Sequence, residues 1–340
     1  MNWKLPLGLV LCVLLPLSVA ASAVDDTPDI IALRAKYLPP GAIPYPDDNP
    51  YSAAKAQLGK TLFFDPIFSS SGTLSCGSCH KPDRGWEDGL SLAVGDSRRA
   101  LKLKTPSLID DAWLDRLGWD GRFVSLEAVT FAPITGKQNM NMSEAGVIAR
   151  LSSIPEYVHD FKTVFDDATI SRKHIEMALA TYERSIVAAQ APFDRWAAGD
   201  DAAISQAAKR GFAIFNGKGR CAECHSGWAF TDGSFHDIGV AKDGDVGRGR
   251  LFPTSVKLQH AFKTPTLRDV ALRAPYMHDG SVPTLEAVID LYDKGGIARP
   301  SRSEVIKPLG LTAQEKADLL AFLNTLTSPA QPIDIPAPPR

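Results

Sequence analysis

Apolar residues recur every three or four positions along several stretches of the chain. Ile175, Leu179, Tyr182 and Ile186 form one such stripe, which predicts an amphipathic helix over Lys173–Val187. Ile204, Ala208, Gly211 and Phe215 form a second. Thr312-Ala313-Gln314-Glu315 has the form of a capping box and opens a helix carrying Leu319, Leu320, Phe322 and Leu323. Thr284 can cap another, on which Leu285, Val288 and Tyr292 share a face. Strand-like alternation is scarce, so the fold is expected to be mainly α. The 26 Gly and 25 Pro put long loops between the helices.

The ends and the middle break this pattern. An apolar run from Leu5 to Ala20 follows Lys4 and closes on Ala21-Ser22-Ala23, the form of a cleaved secretory signal over residues 1–23. The run is short for a membrane span, and no later stretch approaches about 18 apolar residues, so no span is expected. Ala191-Pro192-Phe193-Asp194 through Gly199-Asp200-Asp201 interrupts the helical stripes, which separates 24–200 from 201–327. Residues 328–340 are Pro-rich and read as an extended strap or frayed end.

Charge narrows the function. A net charge of −2 gives no basic surplus for a nucleic-acid partner. The local clusters at Arg98, Arg99, Lys102 and Lys104, and at Arg248 and Arg250, are expected to be solvated loop faces.

The cysteines carry the chemistry. Four of the five lie in Cys76-Gly77-Ser78-Cys79-His80 and Cys221-Ala222-Glu223-Cys224-His225. Each is C-x-x-C-H, the attachment pattern of a c-type haem, in which two thiols form thioethers and the His ligates iron. A zinc knuckle or a redox dithiol would not need the trailing His twice. Two covalent haem c groups are therefore expected, with His80 and His225 as proximal ligands. Export suits such thiols, and a bacterial periplasm is the expected compartment.

Further segments fall in a known order: Leu58-Gly59-Lys60 to Phe64-Asp65-Pro66, Trp119-Asp120-Gly121-Arg122, Thr264-Pro265-Thr266-Leu267-Arg268, Ala274-Pro275-Tyr276-Met277-His278-Asp279-Gly280, and Ala321-Phe322-Leu323-Asn324-Thr325-Leu326-Thr327. With the two haem motifs, they make the chain resemble the bacterial dihaem cytochrome c peroxidases, including their MauG-like members. The resemblance covers nearly all of the mature chain. It implies two cytochrome c-like haem domains, an N-terminal haem that reacts with hydrogen peroxide and a C-terminal haem that stores and relays electrons. It also implies a distal ligand for the second haem on the helix after the H-D-G segment, where Tyr292 stands; Met277 is a competing thioether. Trp119 matches the tryptophan between the haems. Where many members carry a second His after the first motif, this chain has about Asp96, which implies an open first iron. Electrons would come from a small periplasmic protein, a cytochrome c or cupredoxin, or from a protein substrate's own side chains.

Two departures matter. The family's distal acid–base Glu is replaced by Asn139, in Pro133-Ile134-Thr135-Gly136-Lys137-Gln138-Asn139-Met140, and its partner Gln by Val129. An amide has no titrating group for moving a proton, although Gln138 and Asn139 can still hydrogen-bond a bound oxygen species. Glu144 is a candidate substitute acid. The family also implies a calcium ion between the domains, held by an Asn before a [ST]-P pair and by carbonyls that fall here at Arg273 and Pro275. Lys104 stands in the Asn place, so calcium is left open. A non-catalytic dihaem electron carrier and a MauG-like enzyme that oxidatively matures a partner protein are the alternative functions.

Overall fold

The computed structural model describes residue 1 and residues 28–167, 169–330 and 332–340. The expected signal, apart from Met1, lies outside the described residues. After α1 (Pro28–Arg34), the first half contains α2 (Ala53–Phe64), the single turn α3 (Cys76–Cys79), α4 (Leu126–Thr135), α5 (Glu144–Ser152), α6 (Pro155–Phe165) and α7 (Arg172–Arg184). α8 (Pro192–Ala197) closes it, and the second contains α9 (Gln206–Asn216), α10 (Leu285–Lys294) and α11 (Ala313–Asn324). Two-residue strands β1 (Phe235–His236) and β2 (Phe262–Lys263) pair antiparallel. The stripe read over 173–187 ends earlier, at Arg184, because Ser185 and Ile186 turn back onto the Tyr182 and Glu183 carbonyls.

Each half is organised by one helix crossing. On α2, a Cβ built on Gly59 would stand 2.0 Å from the Ala178 carbonyl oxygen of α7. On α9, a Cβ on Gly211 would stand 2.0 Å from the Asp318 carbonyl oxygen of α11. Both distances are overlaps, so glycine lets the two backbones touch. Ser52, Ser171, Ser205 and Thr312 cap these four helices through their hydroxyls, each satisfying an otherwise orphaned N–H. The capping box at Thr312 and Glu315 forms as the sequence predicts.

The crossings bury the two main cores. The first gathers Leu58, Leu62, Phe63, Phe131, Phe161, Leu179 and Tyr182. The second is richer in rings: Phe322 meets Phe193, Phe212 and Phe215 at centroid distances of 5.7, 5.5 and 5.0 Å. Such pairs contribute about 0.5–1.5 kcal/mol each beyond the apolar area they bury. Chain order and core membership differ at three places. Tyr37 near the start, and Phe193 and Trp196 of α8, lie in the second core. Ile333 in the Pro-rich tail packs on the first. Ser328 ties the root of that tail to Asp269 through its N–H (2.7 Å) and hydroxyl (2.8 Å).

The basic clusters are only partly solvated. Arg98, Arg99, Lys102 and Arg250 are exposed, but Lys104 is buried and Arg248 half-buried. Arg248 donates to the Asp120 carbonyl at 2.7 Å and lies 3.9 Å over the Phe235 ring, while Lys104 ion-pairs with buried Glu87. Buried partners distant in sequence therefore correct the surface reading for these two residues.

Candidate functional site

Both C-x-x-C-H segments wind into one tight turn. The His80 N–H reaches the Cys76 carbonyl at 2.9 Å, and the His225 N–H reaches that of Cys221 at 2.9 Å. His80 Nδ1 lies 3.1 Å from the Trp86 carbonyl and His225 Nδ1 2.8 Å from that of Phe230. A carbonyl can only accept, so Nδ1 carries the proton in both rings and Nε2 presents its lone pair. Burial lowers the pKa of both rings, that of His225 to about 4, which keeps them neutral as a ligand must be.

The second motif opens onto a largely apolar cavity. Cys221, Cys224 and His225 line it with Phe215, Leu285, Val288 and Leu323. Tyr292 and Met277 line the same cavity. Thr284 caps α10 by accepting the Ala287 N–H at 3.2 Å, and the face read from the sequence (Leu285, Val288, Tyr292) is the one turned to the cavity. Tyr37, Tyr157 and Tyr276 each bond their hydroxyl to a protein acceptor. The Tyr292 hydroxyl has no hydrogen bond among the described residues, and burial raises its pKa. The residues present fit a haem: an apolar cavity would hold it, with the neutral imidazole of His225 and the phenol of Tyr292 on its wall.

The first motif sits among rings. Phe63 lies 6.4 Å from His80 between centroids, and the Gly77 backbone rests on Phe64. A second cavity beside Cys79 is walled by Thr73, Leu74, Gly95 and Asp96. The Asp96 N–H bonds the Asn139 carbonyl at 2.6 Å, and Gly95 packs directly on the Gln138 carbonyl. The loop at Asp96 and the segment of Gln138 and Asn139 therefore meet. Asp96 turns its carboxylate to the Ser71 N–H and hydroxyl. Asn139 is half-buried, its Oδ1 close to Gly136, whereas Gln138 is exposed. Glu144 is in an exposed ion pair with Arg172 at 3.0 Å, and Val129 packs with Leu117 and Leu126. Held outward by Arg172, Glu144 is a poor substitute acid.

Trp119 stands at the seam between the halves. Its Nε1 donates to the Lys104 carbonyl at 2.8 Å, and its ring lies 6.4 Å from that of His278, on the wall of the second cavity. Two features there carry no separate signal in the sequence. His278 stacks on Phe262 at 3.7 Å and bonds Asp245 at 2.8 Å. His236 bonds Asp232 at 2.7 Å beside Cys224, and the Asp232 carboxylate raises its pKa. Only the H-D-G segment hinted at His278; the Asp232 pairing depends on the fold of the loop.

The sequence model of the family described as di-haem cytochrome c peroxidase matches residues 53–202, and that of cytochrome c matches 208–327. The chain is 48% identical over 326 residues to methylamine utilization protein MauG of Methylorubrum extorquens, covering 95% of this chain and 92% of that one. It belongs to the di-haem cytochrome c peroxidase family. Another relative is the cytochrome-c peroxidase IdrP1 of Denitromonas iodatirespirans, 35% identical, with 92% of each chain covered. Among solved structures, a MauG-like protein associated with microbial copper homeostasis superposes with a TM-score of 0.80 at 33% identity, over 86% of this chain and 94% of that one. The mainly α fold with two cytochrome c-type domains and the peroxidase-type oxidoreductase class follow from this membership. No helix among the described residues is long and apolar enough to cross a membrane.

Proposed function

We propose that this is a periplasmic dihaem oxidoreductase that reduces hydrogen peroxide at the first haem with electrons passed through the second. Cys76, Cys79 and His80 hold one group, and Cys221, Cys224 and His225 hold the other. The proposed division of labour follows residues 24–200 and 201–327. The observation that carries the reading is an asymmetry. Both proximal imidazoles are oriented alike, but Tyr292 shares a cavity with His225, whereas no tyrosine is among the described residues lining the cavity beside Cys79. When bound, the haems supply one-electron redox chemistry and, where a face is free, a binding position for peroxide.

The residues divide the work. Trp86 and Phe230 carbonyls fix the ring orientation of His80 and His225. Tyr292, on the wall of the cavity that His225 also lines, would supply the second haem with an anionic oxygen ligand, which would favour the higher oxidation states. Asp96, where relatives carry a blocking imidazole, faces Ser71 and leaves the first site open. Trp119, fixed between the Lys104 carbonyl and His278, is the relay between halves. Asn139 orients a bound oxygen species but cannot accept and return its proton.

Kinship at 48% identity to a methylamine utilization protein MauG favours one further reading. In it the electrons come from side chains of a partner protein that is oxidatively matured, in place of a small cytochrome c or cupredoxin. The test is stopped-flow mixing of the ferric dihaem protein with peroxide, in the wild type and in Asn139→Glu. Reaction at one haem only, accelerated in the variant on the order of a hundred- to ten-thousand-fold, is expected for a missing acid–base group. A wild type inert to peroxide whose variant is equally inert would leave only the electron-carrier function.

A further inference from the structure

The seam between the halves contains an ionic cluster that includes Lys104 and Arg273, two of the residues at which the family resemblance implies calcium ligands. Lys104 is 3% exposed, Glu87 5% and Arg273 4%. The Lys104 ammonium pairs with Glu87 Oε2, and the Arg273 guanidinium lies 3.8 Å from Oε1 of the same carboxylate. Lys104 and Glu87 belong to the first half and Arg273 to the second, so the cluster spans the seam. The backbone of Lys104 is fixed at both ends as well. Its N–H donates to the His278 carbonyl at 2.8 Å, and its carbonyl accepts the Trp119 indole at 2.8 Å. Thr105 adds a bond to buried Asp88 at 2.8 Å.

This donor set does not fit a hard divalent cation. Calcium takes six to eight oxygens, and an ammonium offers no lone pair. Both oxygens of Glu87 already face fixed positive charges. A divalent ion among them would be repelled by two buried cations in surroundings of low dielectric.

We propose that the Lys104 ammonium is the resident cation of this seam in place of a divalent metal. Through its own backbone it is also a positioning residue that fixes Trp119 on the wall of the second cavity. The relay consequence rests on the function proposed above, whereas the metal independence stands without it. Lys104 reaches across to Glu87, Glu87 draws in Arg273 from the other half, and the anchored Lys104 carbonyl sets the indole. The junction is closed by the chain's own charges, so its geometry does not vary with the calcium concentration around it.

The experiment uses the dihaem protein after exhaustive chelation and desalting. Metal analysis, the thermal midpoint and the absorption of both haems are recorded with and without added calcium. Wild type is expected to retain well under one calcium per chain and to respond to neither chelator nor calcium. Lys104→Asn restores an oxygen ligand and should acquire a midpoint that falls on chelation and recovers with calcium. Lys104→Arg, which keeps a charge, should stay calcium-indifferent. One tightly held calcium per wild-type chain, or a wild-type midpoint that drops on chelation, would overturn the proposal whatever the peroxide chemistry proves to be. A Lys104→Met protein with unchanged midpoint and unchanged electron exchange between haems would remove the positioning role.

Discussion

The two halves are built alike below their haem sites and differently above them. Each crosses two capped helices at a glycine, winds its C-x-x-C-H into a turn, and fixes an imidazole on a backbone carbonyl a few residues on. Around the cavity of His225 there is a capped helix that turns a phenol inward. Near Cys79 there is a loop, Gly95-Asp96, seated on Gln138 and Asn139 with its carboxylate turned toward Ser71. Shared scaffolding thus secures the covalent chemistry twice, and local substitutions at a few positions assign different roles. The seam couples the halves through Lys104, Glu87, Arg273 and Trp119.

The largest expected effect breaks the shared scaffold. A Cβ at Gly59 or Gly211 overlaps a facing carbonyl, and no flexible side chain can move to relieve it. Gly59→Val and Gly211→Val should each cost about 3 kcal/mol or more, the upper range for overpacking. Denaturant unfolding followed at each haem's absorption should show the first variant weakening the first half and the second variant the other. Equal loss at both haems would mean that the crossings do not act separately.

Acid should sharpen the contrast next. Burial raises the pKa of Glu127, but bonds from Arg184 and Asn49 outweigh it and hold it at about 2, below the ordinary 4.5. The folded value is depressed, so the stabilisation is complete above the unfolded value and is lost as pH falls from about 5 toward 2. Its size is on the order of 2–3 kcal/mol, since one unit is 1.36 kcal/mol and the pair is part-exposed. The thermal midpoint of Glu127→Gln should be lower at neutral pH and flatter with acid than that of wild type. A wild-type slope retained in full by the variant would assign the acid response elsewhere.

A smaller pair of changes separates helix stability from site chemistry. Ser125 caps α4 and Thr284 caps α10 through the same hydroxyl geometry, at 3.1 and 3.2 Å. Replacing either with Ala should cost about 1 kcal/mol. Only Thr284→Ala should also alter the second haem's spectrum, because only its helix carries Tyr292. Identical spectra in both variants would disconnect α10 from the site.

Much of this was legible from local pattern. The capping box at Thr312, the α7 and α9 stripes, both haem motifs and the inward face of Tyr292 depend on residues within a few positions of one another. What stayed hidden depends on distant partners. Lys104 reads as a surface charge until Glu87 and Arg273 converge on it, and Arg248 until Asp120 and Phe235 do. The placement of Phe193 and Trp196 in the second core, and of Ile333 on the first, comes from the chain path and not from any stripe. Glu144 is a plausible acid by proximity in sequence, but its ion pair with Arg172 points it outward.

The difference between the two sites is tested most directly by electron paramagnetic resonance of the resting, fully oxidised dihaem protein, with Tyr292→Phe beside it. One high-spin and one low-spin ferric signal of equal weight are expected in wild type, and replacing Tyr292 should abolish the low-spin signal while leaving the high-spin one in place. Two low-spin haems in wild type, or a low-spin signal unchanged without Tyr292, would contradict it.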